Sequence, residues 1–210
     1  MLKQAGAVVV LFIAAAAALG QEGHFDGSIN GSADFTKGTQ GNGVTQSAST
    51  SAGYFASLRL KLAPMFWLEG NYGRTENSQF YNSSTSYRIQ GRITELTGDL
   101  VVRPWHIGKF QTFLFGGGGV LVFNPTQTLV ILVPPGQTVA TEVPVALGAA
   151  REYRTTVIYG GGVDYKLISR FALRLQYRGL FFTAPDYKLD IFTDGKAHMA
   201  EPSVGLVFRF

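Results

Sequence analysis

The sequence predicts an all-β protein: an eight-stranded antiparallel up-and-down transmembrane β-barrel, preceded by a signal-peptide helix. Three observations predict this fold. Apolar and other residues alternate with a period of two in about eight runs. The connections between these runs are alternately short and long. Charged residues make up only 15% of the chain, beside 26 glycines and 13% aromatic residues, a composition that favours strands in an apolar environment.

The N-terminal segment predicts export. One lysine precedes an apolar stretch at 5–19, and the small residues at 18–20 fit a cleavage site. A membrane-anchor helix is the alternative, but the stretch is shorter than the ~20 residues that span a bilayer. We therefore expect a signal peptide at 1–20 and a barrel at 21–210.

Four alternating runs occupy the first half of the exported chain. The first, DGSINGSADFTK, is small and polar, and the second sets a tyrosine and three leucines against Phe55, Ser57 and Arg59. In the third and fourth runs, Glu69 and Glu95 lie opposite the apolar sides. Each run reaches the ~9–11 residues that a tilted strand needs to cross a bilayer. The four runs span 26–37, 52–62, 65–75 and 89–103.

Four further runs complete the predicted wall. The fifth, FQTFLFGGGGVLVF, is apolar on both faces, so its orientation stays open. The sixth and seventh oppose tyrosine, valine and leucine to Asp164, Arg174 and Arg178. These runs span 110–123, 153–166, 170–182 and 198–210.

The connections alternate in length. Short turns lie near 63–64, 104–109 and 167–169, and long loops lie at 38–51, 76–88, 124–152 and 183–197. Outer-membrane barrels have this asymmetry, with short periplasmic turns and long extracellular loops.

The volume of the barrel interior indicates which face of the strands points outward. A soluble lipocalin-like carrier also alternates, with its apolar face inside. An eight-stranded barrel encloses just enough space for one packed set of side chains, and the many leucines, valines and aromatics here would overfill it. The apolar faces are therefore expected to contact lipid. The wall must then be closed, because an open edge would leave unpaired backbone groups in hydrocarbon.

Aromatic residues near the ends of the runs are candidates for the two interfacial girdles. We expect some of the following to belong to them: Phe66, Tyr72, Trp105, Phe110, Phe123, Tyr153, Tyr165, Phe181, Phe182 and Phe208.

The last residues, PSVGLVFRF, alternate up to a final phenylalanine. This ending resembles the C-terminal assembly signal of Gram-negative outer-membrane proteins, matched by Val204, Leu206, Phe208 and Phe210. With the strand count and the segments FLFGGGGV and YGGGVDY, it makes the chain similar to the small outer-membrane barrels of the OmpA/OmpX type. The resemblance implies the bacterial outer membrane as the location. It also implies barrel-assembly machinery, periplasmic chaperones, outer-membrane lipid and lipopolysaccharide as partners.

Charged residues on the polar faces predict a network inside the barrel, because charges in a low-dielectric interior need partners. We expect Glu69, Glu95 and Asp99 to pair with arginines, and Asp164 to belong to the same network. The predicted arginine partners are Arg59, Arg174 and Arg178. Such a network either fills the barrel or gates a narrow pore, and eight strands leave little room for a pore.

The long loop at 124–152 is unusually apolar. Two β-prone runs, 128–133 and 138–147, flank PPGQ and predict a hairpin that extends strands five and six beyond the membrane. Exposed apolar strands aggregate unless something covers them. We expect this hairpin to bind a surface partner, lipid or lipopolysaccharide, or else to pack on neighbouring loops.

The chain shows no motif for catalysis, for a metal or for a cofactor. It has no cysteine, no G-x-S-x-G and no H-E-x-x-H, and its three histidines lack ligand spacing. The net charge of +4 has no basic cluster that would indicate nucleic-acid binding. We expect a monomeric, non-enzymatic protein with a structural or adhesive role. A lipid A-modifying enzyme is the alternative, with His198, Glu201 and Ser203 as its candidate residues.

Overall fold

The computed structural model describes residues 24–132, 141–146, 148–189 and 195–210. The signal peptide expected at 1–20 lies outside these ranges. In the described part of the chain no helix is long and apolar enough to cross a membrane, a finding that concerns helices only. The strands are β1 (Phe25–Lys37), β2 (Thr39–Gly41), β3 (Val44–Ala48), β4 (Ser51–Lys61), β5 (Phe66–Asn82), β6 (Ser86–Val102), β7 (His106–Ile107), β8 (Phe110–Leu132), β9 (Thr141–Pro144), β10 (Glu152–Lys166), β11 (Phe171–Thr183) and β12 (Lys196–Arg209).

Eight strands close into a barrel because the first pairs with the last. Around the wall, β1, β4, β5, β6, β8, β10, β11 and β12 are antiparallel neighbours. The seam between β1 and β12 runs from the pair Asp26 and Arg209 to the pair Lys37 and His198. The eight-stranded antiparallel up-and-down barrel predicted from the sequence is confirmed. Closure pairs the strand edges with each other, as a hydrocarbon environment requires.

The outer surface of the wall is apolar. Leu96, Leu114 and Val157 are 64%, 57% and 61% exposed, and aliphatic and aromatic side chains on every barrel strand share this orientation. Patches of this extent are unfavourable in water, whereas acyl chains accommodate them. The outward orientation of the apolar faces is therefore confirmed, and a soluble barrel with an apolar cavity is excluded.

The structure resolves the orientation of the fifth predicted strand, β8. Phe113 and Phe115 lie inside, while Phe110 and Leu114 face outward. Glycines of β10 make room for the inner rings: a Cβ at Gly162 would lie 2.7 Å from Cζ of Phe113. The glycine-rich segments thus let bulky rings occupy a narrow interior.

Three segments expected to be loops contain strands. The segment 38–51 holds β2 and β3, and 76–88 is the end of β5 and the start of β6, joined by a turn at 83–85. Within 124–152, β8 continues to Leu132 and β9 follows. The segments 38–51 and 76–88 are polar because they stand outside the hydrocarbon, but their backbones continue the same ladders. Their boundaries as loops, predicted from polarity, were wrong for this reason. The apolar segment 124–152 also continues a ladder, through the end of β8.

Together these extensions form a sheet on the extracellular side, the side of the long connections. Its strand order is β2, β3, β5, β6, β8 and β9. The predicted hairpin is present in part: Leu129 to Leu132 of β8 pair with Pro144 to Thr141 of β9. It extends the fifth predicted strand, but β9 ends at Pro144 and is not continuous with the sixth, which begins at Glu152. Its tip, 133–140, lies outside the described residues.

Candidate functional site

The interior nearest the short turns holds a buried charge layer. Arg59 of β4 forms an ion pair with Glu69 of β5, and Arg174 of β11 pairs with Asp164 of β10. Nη1 of Arg174 lies 3.7 Å from Glu69, which links the two pairs. All four side chains are at most 2% exposed. All four side chains lie on the inner face of the wall.

Aromatic rings pack against the arginines of this layer. The guanidinium carbons of Arg59 and Arg174 lie 4.1 and 4.9 Å from the ring centre of Phe113, and that of Arg103 lies 4.0 Å from Trp67. Nη1 and Nη2 of Arg59 have no hydrogen-bond partner among the described residues. Its contact with the Phe113 ring compensates part of that desolvation through a cation–π interaction.

The charge layer continues to the periplasmic rim. Arg103 forms an ion pair with Asp26, and Asp164 lies 4.0 Å from Arg103 and 3.6 Å from Arg209. These contacts link β1, β10, β12 and the residue that follows β6. The sequence did not single out Asp26, because the first run is small and polar on both faces and shows no clear alternation.

A second charge layer surrounds Arg178 of β11. Arg178 forms ion pairs with Glu95 and with Glu201, the latter at 3.1 Å, and its guanidinium carbon lies 4.1 Å from the ring centre of Phe55. Asp99 differs from the prediction: it accepts a hydrogen bond of 2.6 Å from Asn71 and has no ion pair among the described residues. The predicted residues thus divide between two layers.

Above the charges lies an apolar layer that the sequence analysis did not predict. Along β11 the inward side chains change from Arg174 and Arg178 to Leu180 and Phe182. Bulky apolar side chains therefore point inward at this height, although the apolar faces of the strands were expected to contact lipid. Phe123 and Phe182 also belong inside rather than to a girdle. The layer comprises Ile93, Leu121, Phe123, Ile158, Leu180, Phe182 and Met199.

Residues 184–189, which follow β11, cover the extracellular opening of the barrel. Tyr187 of this segment is only 2% exposed, and its ring contacts that of Tyr81 edge to face at 6.4 Å. The hydroxyl of Tyr81 donates a hydrogen bond of 2.5 Å to the carbonyl of Pro185. We call residues 184–189 the cap.

Polar contacts hold the cap on the barrel rim. The amide of Tyr187 donates a 2.7 Å hydrogen bond to Oε2 of Glu152, and Arg154 lies 3.0 Å from Asp186. Tyr187 and Lys188 have φ angles of 52° and 62°, an unusual conformation for residues with side chains. Burial, and secondly the charge of Glu152, raises the pKa of the Tyr187 phenol. Nothing in the local sequence distinguished this tyrosine from an ordinary loop residue.

A small cavity lies at the second charge layer. A cavity of about 10 Å³ lies against Asp34, Glu95 and Glu201, enough for about one water molecule. In the described part of the chain no group of three or more acidic or histidine side chains has the geometry of a metal site.

The candidate enzymatic residues do not come together. His198 faces outward, where Nε2 lies 3.2 Å from the hydroxyl of Tyr159. Glu201 and Ser203 face the interior and are buried. Successive side chains of a strand alternate between its two faces, so two residues share a face only when their positions differ by an even number. Glu201 and Ser203 are three and five positions from His198 and therefore lie on the opposite face.

The C-terminal residues complete the seam of the wall. Val204, Leu206 and Phe210 are half-exposed on the outer face, and the ring of Phe208 lies 5.0 Å from that of Phe171. The amide of Phe210 donates a 3.0 Å hydrogen bond to the carbonyl of Phe25. Their proposed recognition by the assembly machinery stays a prediction.

The similarity of this chain to known proteins is limited to its fold. No protein-family model matches the sequence, and no curated protein matches it. Neisserial surface protein A (NspA) matches with a TM-score of 0.52 and 12% identity over 89% of this chain and 97% of that chain. Ail, the attachment invasion locus protein of Yersinia pestis, matches with a TM-score of 0.50 and 14% identity over 90% and 100%. OprG, an outer membrane protein of Pseudomonas aeruginosa, matches with a TM-score of 0.50 and 12% identity over 91% and 98%. With its apolar exterior, this chain has the fold of the small eight-stranded barrels of the bacterial outer membrane.

Proposed function

We propose that this protein is a closed, non-enzymatic outer-membrane scaffold that presents an extracellular β-sheet for a structural or adhesive role. The observation that supports this most strongly is the filling of the interior. Two layers of ion pairs, an apolar layer and the cap succeed one another along the barrel axis. A barrel filled in this way is suited to supporting the extracellular sheet rather than to conducting solutes.

The extracellular sheet is the part of the molecule that a partner can reach. Strands β5, β6 and β8 extend beyond the barrel, and β9 adds to the far side of β8. Leu132 and Val143 of the β8–β9 hairpin are 47% and 39% exposed, although this end stands outside the membrane. Exposed apolar side chains on a rigid sheet favour contact with another surface.

Replacing part of the hairpin tests this role. Residues 130–143 are exchanged for a short glycine-serine turn, which leaves the barrel and the β6 pairing below it intact. Bacteria displaying either form at equal surface density are compared for autoaggregation and for attachment to a protein-coated surface. The proposal expects a loss of attachment with the exchanged form. Equal attachment by the two forms would exclude an adhesive role for the hairpin.

The non-enzymatic part of the proposal has its own test. Lipid A from cells with and without the protein should give identical mass spectra, because the structure separates His198 from Glu201 and Ser203. A changed acyl or phosphate pattern that depends on the protein would contradict it.

A further inference from the structure

We propose that the outer wall formed by β1, β10, β11 and β12 binds the phosphate group of an outer-leaflet lipid through Lys37 and Lys196, above an aromatic patch of Tyr159, Phe181 and His198.

The strand register brings these residues to one place on the wall. Lys37 of β1 lies directly opposite His198 of β12, which in turn lies opposite Phe181 of β11. Lys196 is the next outward residue of β12 towards the extracellular side, and its Nζ donates a 2.8 Å hydrogen bond to the hydroxyl of Thr183. The two ammonium groups therefore stand at the extracellular edge of the same face.

The aromatic patch is ordered and amphipathic. The rings of Phe181 and His198 lie 4.4 Å apart, and Tyr159 stacks on Phe181 at 5.7 Å. The ring of Tyr159 lies over Gly179, where a Cβ would approach it to 2.5 Å. Phe181 and Tyr159 are 50% and 41% exposed. Aromatic groups with polar atoms prefer the boundary between acyl chains and headgroups, so this patch marks the headgroup level.

The two lysines are available to an external anion. Neither has a carboxylate partner among the described residues. On the β5–β6 side, by contrast, Arg88 pairs with Glu142 at 3.0 Å and Arg92 with Glu76 at 2.9 Å. Two ammonium groups without a carboxylate partner in the described part of the chain, lying beside headgroups, attract a compact anion, and a phosphate is the anion that such headgroups carry. The acyl chains of the same lipid would lie on the patch below.

The test measures lipid retention by the folded, full-length exported chain in detergent. Native mass spectrometry follows the binding of bisphosphorylated lipid A to the wild type and to the double variant Lys37→Gln, Lys196→Gln. The matched control is Lys109→Gln, Lys166→Gln. These two exposed lysines are neighbours at the opposite rim, joined by a 2.8 Å backbone hydrogen bond, and Lys109 lies near the ring of Tyr165.

The proposal expects about tenfold or greater weakening of lipid A binding in the first variant and wild-type binding in the control. Inorganic phosphate at millimolar concentration should compete poorly, because it lacks the chains that contact the patch. Equal weakening in both variants, or none in either, would overturn the site. Competition by free phosphate as effective as that by lipid would overturn its assignment to a lipid. Heat-modifiable gel mobility verifies that every variant is folded.

Discussion

The guanidinium of Arg174 donates two hydrogen bonds to the carboxylate of Asp164 on the neighbouring strand, from Nε at 2.7 Å and from Nη2 at 3.0 Å. Both side chains are buried inside the barrel. Removing one partner of such a pair leaves the other charge desolvated.

The substitution Asp164→Asn should destabilise the barrel by about 3–5 kcal/mol, because Arg174 loses its bidentate partner in the interior. Urea unfolding of barrels refolded in lipid vesicles, followed by tryptophan fluorescence, measures the change. The control Glu76→Gln removes the exposed pair with Arg92 and should cost at most about 1 kcal/mol. Equal effects of the two substitutions would contradict the buried network.

The cap should loosen when its anchor is removed. Tyr187→Ala deletes the ring that packs against Tyr81, and hydrogen exchange at the amides of 184–189 should accelerate by at least about tenfold, equivalent to ~1.4 kcal/mol. Lys188→Ala, at an exposed neighbour, is the control and should leave exchange nearly unchanged. Unaltered protection in Tyr187→Ala would show that the ring does not hold the cap.

The cap should also open at high pH. Because burial raises the pKa of Tyr187 above its ordinary value of 10.0, the docked state favours the neutral phenol. Its contribution is complete below pH 10.0 and is lost as the pH rises from there towards the raised pKa. Proteolysis of the cap between pH 9 and 12 should therefore increase in the wild type and much less in Tyr187→Phe. Identical profiles would contradict this linkage.

One substitution separates recognition of the C-terminus by the assembly machinery from the stability of the folded barrel. Phe210→Ser should lower the amount of folded barrel in cells several-fold, since the assembly machinery is expected to read this end. Refolding of the same purified variant in vesicles should proceed nearly as in the wild type, because Phe210 lies beyond the last strand residue and is half-exposed. A matching loss in vesicles would assign the effect to stability alone.

Alternation in the sequence predicted the wall and the side chains inside it. Arg59 and Arg174 each stand among apolar residues of period two, and a barrel strand can place them only on the side opposite its leucines. The orientation of the fifth strand was undetermined for the converse reason: Phe113 and Leu114 are both apolar, and a glycine of β10 lies opposite each of them.

Polarity, however, does not distinguish a loop from a strand that stands in water. The segment around Thr45 and Gln46 consists of small polar residues, yet it pairs with Asn82 and Tyr81 of β5. The cap was likewise hidden, because the burial of Tyr187 depends on Glu152 and Tyr81, which are 35 and 106 positions away in the sequence. Neither feature has a local periodic pattern.

Planar-bilayer recording of the purified, refolded protein tests most directly whether the interior of the barrel is filled. A filled interior under a docked cap predicts insertion without steady ionic current at 1 M salt, where narrow pores are readily detected. A steady single-channel current that changes in Glu95→Gln would run through the interior and would contradict the account.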